Sequence, residues 1–280
     1  MRGSTAKIGK YIWNSVRRVI LFIWLLFALF PIYWLVSNSF KYEKNIATMP
    51  PKWIFEPTLA NYKNLITGSP RFYLNVLNTV IISSTAAVIC ILLGSLSSYA
   101  TVRWRFKGRL VFLISILMTQ MIPPIVLIIP IRLLFQTYGL IDTYAGVSLA
   151  YIAYSLPFSV WMMRGFFSET SRSLEESAIV EGCTVLGAFF RIAIPLAIPG
   201  IITTFIFMFL FNWNEFLFAI LLTIVKVKTV SPAIVSFIYD YYISWGLIFA
   251  GSTLVIILPL FLSLVLQRYI VRGLTLGALK

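Results

Sequence analysis

Residues 74–100 read LNVLNTVIISSTAAVICILLGSLSSYA, a run without one Asp, Glu, Lys or Arg. A helix needs about 20 mainly apolar residues to cross a bilayer, and this run exceeds that length without the strict alternation of a strand. Inside lipid, only a helix or a closed barrel satisfies its own backbone. The stretch therefore predicts a transmembrane helix. Five further segments meet the same criterion approximately, at 19–36, 110–134, 145–163, 196–225 and 247–270. Six spans predict an all-α polytopic membrane protein with a single transmembrane domain over residues 1–280.

Composition agrees with that reading. The 280 residues are 60% hydrophobic and 11% charged, where a soluble domain averages about a quarter charged. The formal net charge of +14 is placed as topology demands. Arg2, Lys7, Lys10, Arg17 and Arg18 precede the first span, and Arg103, Arg105, Lys107 and Arg109 crowd the link between the second and third. Positive charge collects on the cytoplasmic side of membrane helices, so both termini are expected inside and no nucleic-acid partner is implied. Residues 1–36 differ from a secretory signal, since the apolar stretch is long and Ser37-Asn38-Ser39-Phe40-Lys41 offers no small-residue cleavage site. Cys90 falls in a span and Cys183 in a loop, so no disulfide is expected. The absence of histidine excludes a His/Cys metal site and a histidine-based triad.

The 37–73 connection carries Pro50, Pro51, Pro57 and Pro70 with Trp53, Phe55, Tyr62, Phe72 and Tyr73. Aromatic residues favour the membrane interface, so this loop is either an interfacial connector or a landing surface for an external partner. Pro123-Pro124, Pro130, Pro157 and Pro259 fall within spans and are candidate kinks.

The loop at 164–195 differs from the others. It holds Glu169, Glu175, Glu176 and Glu181, four of the chain's nine acidic residues. Ser173 followed by Glu176 has capping-box spacing and predicts a helix start. Gly182 permits a tight bend between apolar positions Ala178, Ile179 and Val180 and a second set at Val185, Leu186, Phe189 and Phe190. Pro195 is expected to stop the second short helix. An amphipathic connector on the headgroups would place four carboxylates against an anionic leaflet that attracts bases. A protein surface is the better match.

Glu176-Ser177-Ala178, three residues, Gly182, nine residues, then Ile192-Ala193-Ile194-Pro195 resembles the "EAA" coupling loop of permease subunits of ATP-binding-cassette (ABC) importers. Ser177, Glu181 and Ile194 depart from the usual alanine, aspartate and leucine. YGLIDTYAG (138–146), SLPFSVWMMRGFF (155–167), NWNEFLFAILLT (212–223) and QRYIVRGLTLGALK (267–280) are similar to the carbohydrate branch, in particular to its maltose-type inner-membrane permease. The resemblance implies a type I importer transmembrane domain in a prokaryotic cytoplasmic membrane. It also implies that Glu176, Ser177, Ala178, Glu181, Gly182, Ile192 and Pro195 couple the chain to a separate ATPase dimer. A second homologous permease, an extracytoplasmic solute-binding protein and a carbohydrate substrate complete the expected partners.

No Gly, four residues, Gly-Lys-Ser/Thr run occurs, so ATP and Mg are expected on the partner ATPase and no cofactor on this chain. Glu215 is the conspicuous intramembrane charge, and such charges face cavities or partners. Asn212, Trp213, Asn214 and Glu215 either line the sugar pathway or join two permeases. Asn75, Asn78, Gln120, Tyr151 and Tyr154 either complete that wall or serve as contacts between helices. The competing readings are the same machinery moving a polyol or amino acid, and a stand-alone secondary transporter using Glu215.

Overall fold

The computed structural model describes residues 2–68, 71–239 and 241–276. Pro70 and the last four residues of the 267–280 segment lie outside these. The elements run α1 (Arg2–Ser39), α2 (Glu43–Ile46), α3 (Ala60–Thr67), α4 (Phe72–Arg103), α5 (Arg109–Gln120), α6 (Pro124–Thr137), α7 (Tyr144–Glu169), α8 (Arg172–Val180) and α9 (Val185–Ala188). A π-helical turn (Phe189–Ala193) follows, then α10 (Ile194–Leu196), α11 (Ile198–Trp213), α12 (Leu217–Leu222), α13 (Val230–Val235) and α14 (Trp245–Leu276).

Among the described residues, Trp13–Ser39, Phe72–Arg103, Tyr144–Glu169 and Trp245–Leu264 are each long and apolar enough to cross a membrane. Six crossings are reached only if two bent pairs each count as one. The 110–134 stretch bends by 94° between α5 and α6, where Pro123 and Pro124 end one helix and Pro124 opens the next. Pro130, Pro157 and Pro259 instead sit inside continuous helices. The 196–225 stretch is also not one helix, since the chain leaves helical geometry at Asn214–Phe216 and resumes in α12.

The chain divides into two compact units. In the first, Met1–Pro70 with Phe237–Leu254, the Glu43 carboxylate accepts from the N–H groups of Trp245 and Gly246, both at 2.8 Å. A carboxylate there matches the positive end of the α14 dipole. Asn61 donates to the carbonyls of Ser39 and Lys41, and the buried Lys41 ammonium lies 5.3 Å and 4.9 Å from the Trp34 and Phe55 ring centres.

The second unit, Arg71–Ser236 with Val255–Lys280, is organised on the pairing of α4 with α7. Small buried residues recur every three or four positions along α4, at Ser83, Ala87, Cys90, Gly94 and Ser98, and α7 carries Ser148, Ser155 and Ser159, also buried. Such a seam lets two backbones approach closely. Ser159 Oγ donates to the Cys90 carbonyl at 2.8 Å, and a Cβ on Gly94 would meet Ser159 Oγ at 2.4 Å. α11 packs over the same pair.

Asp142 ties together the far end of this unit. Its backbone is left-handed, with φ 55°, a region that aspartate tolerates better than most residues. Its carboxylate accepts four backbone N–H groups, from Ile224, Val225, Lys226 and Val227, at 3.0–3.2 Å. Its own N–H donates to Leu222 at the end of α12. Asn78 donates to the carbonyls of Lys226 and Lys228 and accepts from the Tyr144 hydroxyl. Burial raises the Asp142 carboxyl, and the four N–H donors outweigh it, leaving it below the usual aspartate value.

Two outcomes follow from this packing. Gly94→Leu overpacks the α4–α7 seam and lowers stability by about 1–3 kcal/mol, read as a fall in thermal unfolding temperature in detergent, while Gly165→Ala, with open space at its Cβ, serves as control. Because Asp142 is depressed, its stabilising effect is complete above the ordinary aspartate value and is lost as pH falls through the lower native value. Asp142→Ala therefore speeds amide exchange at 224–227 by roughly tenfold at neutral pH, about the worth of one charge-assisted hydrogen bond, and wild type shows the same change only in strong acid.

Candidate functional site

Two places carry polar groups that the packing alone does not require: the 164–195 hairpin and the break between α11 and α12. The hairpin begins two residues earlier than Ser173 suggested. Ser171 holds the N-cap position with extended backbone, and Ser173 lies inside the first turn of α8. Arg103 fixes the start by donating from Nη2 to the Thr170 carbonyl at 3.2 Å. Arg172 and Glu176 form an exposed pair four residues apart, a geometry worth about 0.3–0.5 kcal/mol.

Gly182 does end α8. Its φ is 92°, its N–H donates to Ile179, and the Cys183 N–H donates to Ala178. These are the two bonds of a Schellman stop, which wants glycine at this position. Thr184 then caps α9 by accepting from the Gly187 N–H. The second arm ends one residue beyond Pro195, at Leu196. Pro195 itself lies within α10, and the 74° bend falls after it at Ala197. The missing N–H of proline is accommodated by the wider π turn just before it, a common site for such an insertion. Glu176, Ser177, Glu181, Gly182 and Pro195 are exposed, and Ala178 and Ile192 half-buried. Val180, Leu186 and Phe190 project beside them as exposed apolar side chains.

Glu175 points the other way and is buried. Arg103 Nη2 reaches its Oε1 at 2.6 Å and Nε bonds both oxygens at 3.1 Å, while the Tyr99 hydroxyl donates to Oε2 at 2.7 Å. Reading the sequence took Arg103 as one of a run of topogenic charges and Glu175 as surface. The only signal available was the four-residue spacing that puts Tyr99 and Arg103 on one face of α4.

At the second place, an open groove of about 520 Å³ is lined by Tyr154, Phe207, Leu210, Phe211, Asn214, Glu215, Phe216 and Leu217. The quartet read as either a pathway wall or a contact between two permeases is divided. Residues 207, 210, 211 and 214 follow the i, i+3, i+4, i+7 spacing of a single helix face, so Asn214 opens on the groove. Asn212 and Trp213 fall on the opposite, buried side, where Trp213 stacks on Phe209. Tyr154 stacks on Phe211 at 5.3 Å. Glu215 borders the groove, yet its two oxygens accept from the Phe218 and Ala219 N–H groups at 3.1 Å, capping α12. Arg132 holds the other end by donating to the Leu221 carbonyl at 2.6 Å. Tyr151 is buried, Asn75 and Asn78 are buried, with Asn78 bracing the loop after α12, and exposed Gln120 donates to the Tyr154 carbonyl.

Comparison with known proteins places these features in a family. A model of the "binding-protein-dependent transport system inner membrane component" matches residues 90–276. A probable ABC transporter permease protein of Sinorhizobium fredii is 33% identical over 97% of this chain and 96% of its own length. A diacetylchitobiose uptake system permease protein of Streptomyces coelicolor is 33% identical, covering 96% and 97%. A trehalose transport system permease protein of Mycobacterium tuberculosis is 33% identical, covering 91% and 93%. The fold matches a chain in the crystal structure of a bacterial ABC transporter involved in alginate import, with TM-score 0.76 at 23% identity over 92% and 96% of the two chains. The helical spans, the Gly182 hairpin and these likenesses agree, and the chain belongs to the binding-protein-dependent transport system inner membrane components, the permease subunits of ABC importers.

Proposed function

We propose that this chain is the non-catalytic permease subunit of an ATP-driven importer that carries a carbohydrate across a prokaryotic cytoplasmic membrane by alternating access. The observation that carries the proposal is the α8–Gly182–α9 hairpin, whose exposed Glu176, Glu181, Val180, Leu186 and Phe190 form a mixed acidic and apolar surface. In this reading the hairpin docks on an ATPase dimer that binds ATP and Mg, and both termini face the same compartment as the ATPase. A second permease and an external solute-binding protein complete the assembly. Relatives named for diacetylchitobiose and trehalose support a sugar as substrate. The groove supports it chemically, with aromatic faces for a ring and the Asn214 amide for hydroxyls. A proton-coupled transporter gains no support from Glu215, because both its oxygens serve as helix caps.

A gentle detergent pull-down of the tagged chain is expected to recover an ATPase, a second permease and a solute-binding protein; recovery of the chain alone from uptake-active membranes overturns the proposal. Gly182→Pro removes both the left-handed conformation and the N–H donor of the Schellman stop. It is expected to abolish uptake while leaving the chain inserted, and wild-type uptake by that variant removes the hairpin from the coupling path. Asn214→Leu is expected to lower uptake of trehalose or diacetylchitobiose, whichever is carried, with the ATPase retained in the pull-down; an unchanged rate takes the groove out of the pathway.

A further inference from the structure

The two arms of the hairpin converge on one residue of the second span. The Tyr99 hydroxyl donates to Glu175 of α8, and the Tyr99 ring lies 4.7 Å from Phe189, in the π turn that follows α9. Trp104 and Phe167 pack against the same ring at 5.5 Å and 5.6 Å. Beside it, the Arg103–Glu175 pair is almost completely removed from water, with side chains 8% and 4% exposed. A guanidinium that engages a carboxylate through two nitrogens fixes orientation as well as distance. Buried ion pairs are poor sources of stability compared with apolar side chains of the same volume. What this one supplies is register.

The rest of α8 faces outward, with Glu176, Ser177, Ile179 and Val180 all exposed. Apolar contact alone would let such a short helix slide along its support. The carboxylate, clamped by Arg103 and Tyr99, removes that freedom.

We infer that Glu175, Arg103 and Tyr99 form a strut that makes α8 and the C-terminal end of α4 move as one body, so that a displacement of the hairpin turns the second span instead of slipping past it. The inference rests on the proposed docking of the hairpin to an ATPase. Glu175 and Arg103 are positioning residues: they touch neither nucleotide nor solute and act through the attitude of α8. Glu176, next in sequence and exposed, remains free for the docked surface.

The test uses the whole complex, purified with its partners, with Cys183→Ser and spin labels at Ser173→Cys on α8 and Leu96→Cys on α4, both exposed. The probe is ATP–Mg with vanadate, which traps the nucleotide-bound state. In the otherwise wild-type chain the α8–α4 distance distribution is expected to stay the same on trapping while ATP hydrolysis and uptake proceed. Glu175→Gln is expected to broaden or shift that distribution on trapping, with hydrolysis retained and uptake lost. Arg103→Lys, which keeps the charge and loses the fork, gives the same result if Glu175→Gln does not assemble. The reciprocal exchange of Arg103→Glu with Glu175→Arg is expected to restore part of the lost uptake. A distance that changes on trapping in the wild-type chain overturns the strut, as does a wild-type distribution and uptake in Glu175→Gln or Arg103→Lys. A wild-type complex that contains no ATPase overturns the docking reading itself, and the strut with it.

Discussion

Backbone N–H and C=O groups released where a helix stops must find partners, and this chain supplies them with charged side chains. Glu43 caps α14, Glu215 and Arg132 close the two ends of α12, and Asp142 collects four N–H groups of the segment after it. The acidic residues are few, nine in 280, and three of them perform this one task. Each sits where helical geometry stops. Charges in membrane proteins invite functional readings, and here several are first of all the reason that irregular backbone can exist at those positions.

How much of this was legible depended on how far apart the interacting residues lie. Apolar length alone located the long helices α4, α7 and α14, and Gly182 announced the hairpin because a left-handed stop requires glycine or a near equivalent. Prolines were less informative: Pro123-Pro124 breaks a helix, whereas Pro157 and Pro259 ride inside one. A proline's effect depends on whether neighbours hold the freed carbonyl, which one sequence does not disclose. Glu175 and Arg103 meet across a separation that no local pattern bridges. Asn212 to Glu215 were read as a block although helical periodicity divides them, and the stripe at 207, 210, 211 and 214 was present to be counted.

The hairpin has two surfaces with different chemistry. The inward surface is dry and specific, with Glu175, Phe189 and Ala193 set against Tyr99, Met163 and Phe167. The outward one is exposed, acidic and apolar together. A segment with only the outward surface would be a flexible tether, and one with only the inward surface would be structural filler. Under the proposed docking to an ATPase, their combination on adjacent residues would suit the segment to carry force to a membrane span.

The half-helix α12 has a consequence for how this transport scaffold can diversify. Its ends are clamped by Glu215 and Arg132, and its apolar residues Phe218, Ala219 and Leu222 are buried in the core beside Tyr151 and Val147. The groove stripe of α11 lies on the other side of the Asn214 break and bears none of those clamps. Phe207 and Phe211 do pack, on Phe158 and Tyr154, but neither holds a helix end, so a changed groove lining would alter ring packing while both ends of α12 stay clamped.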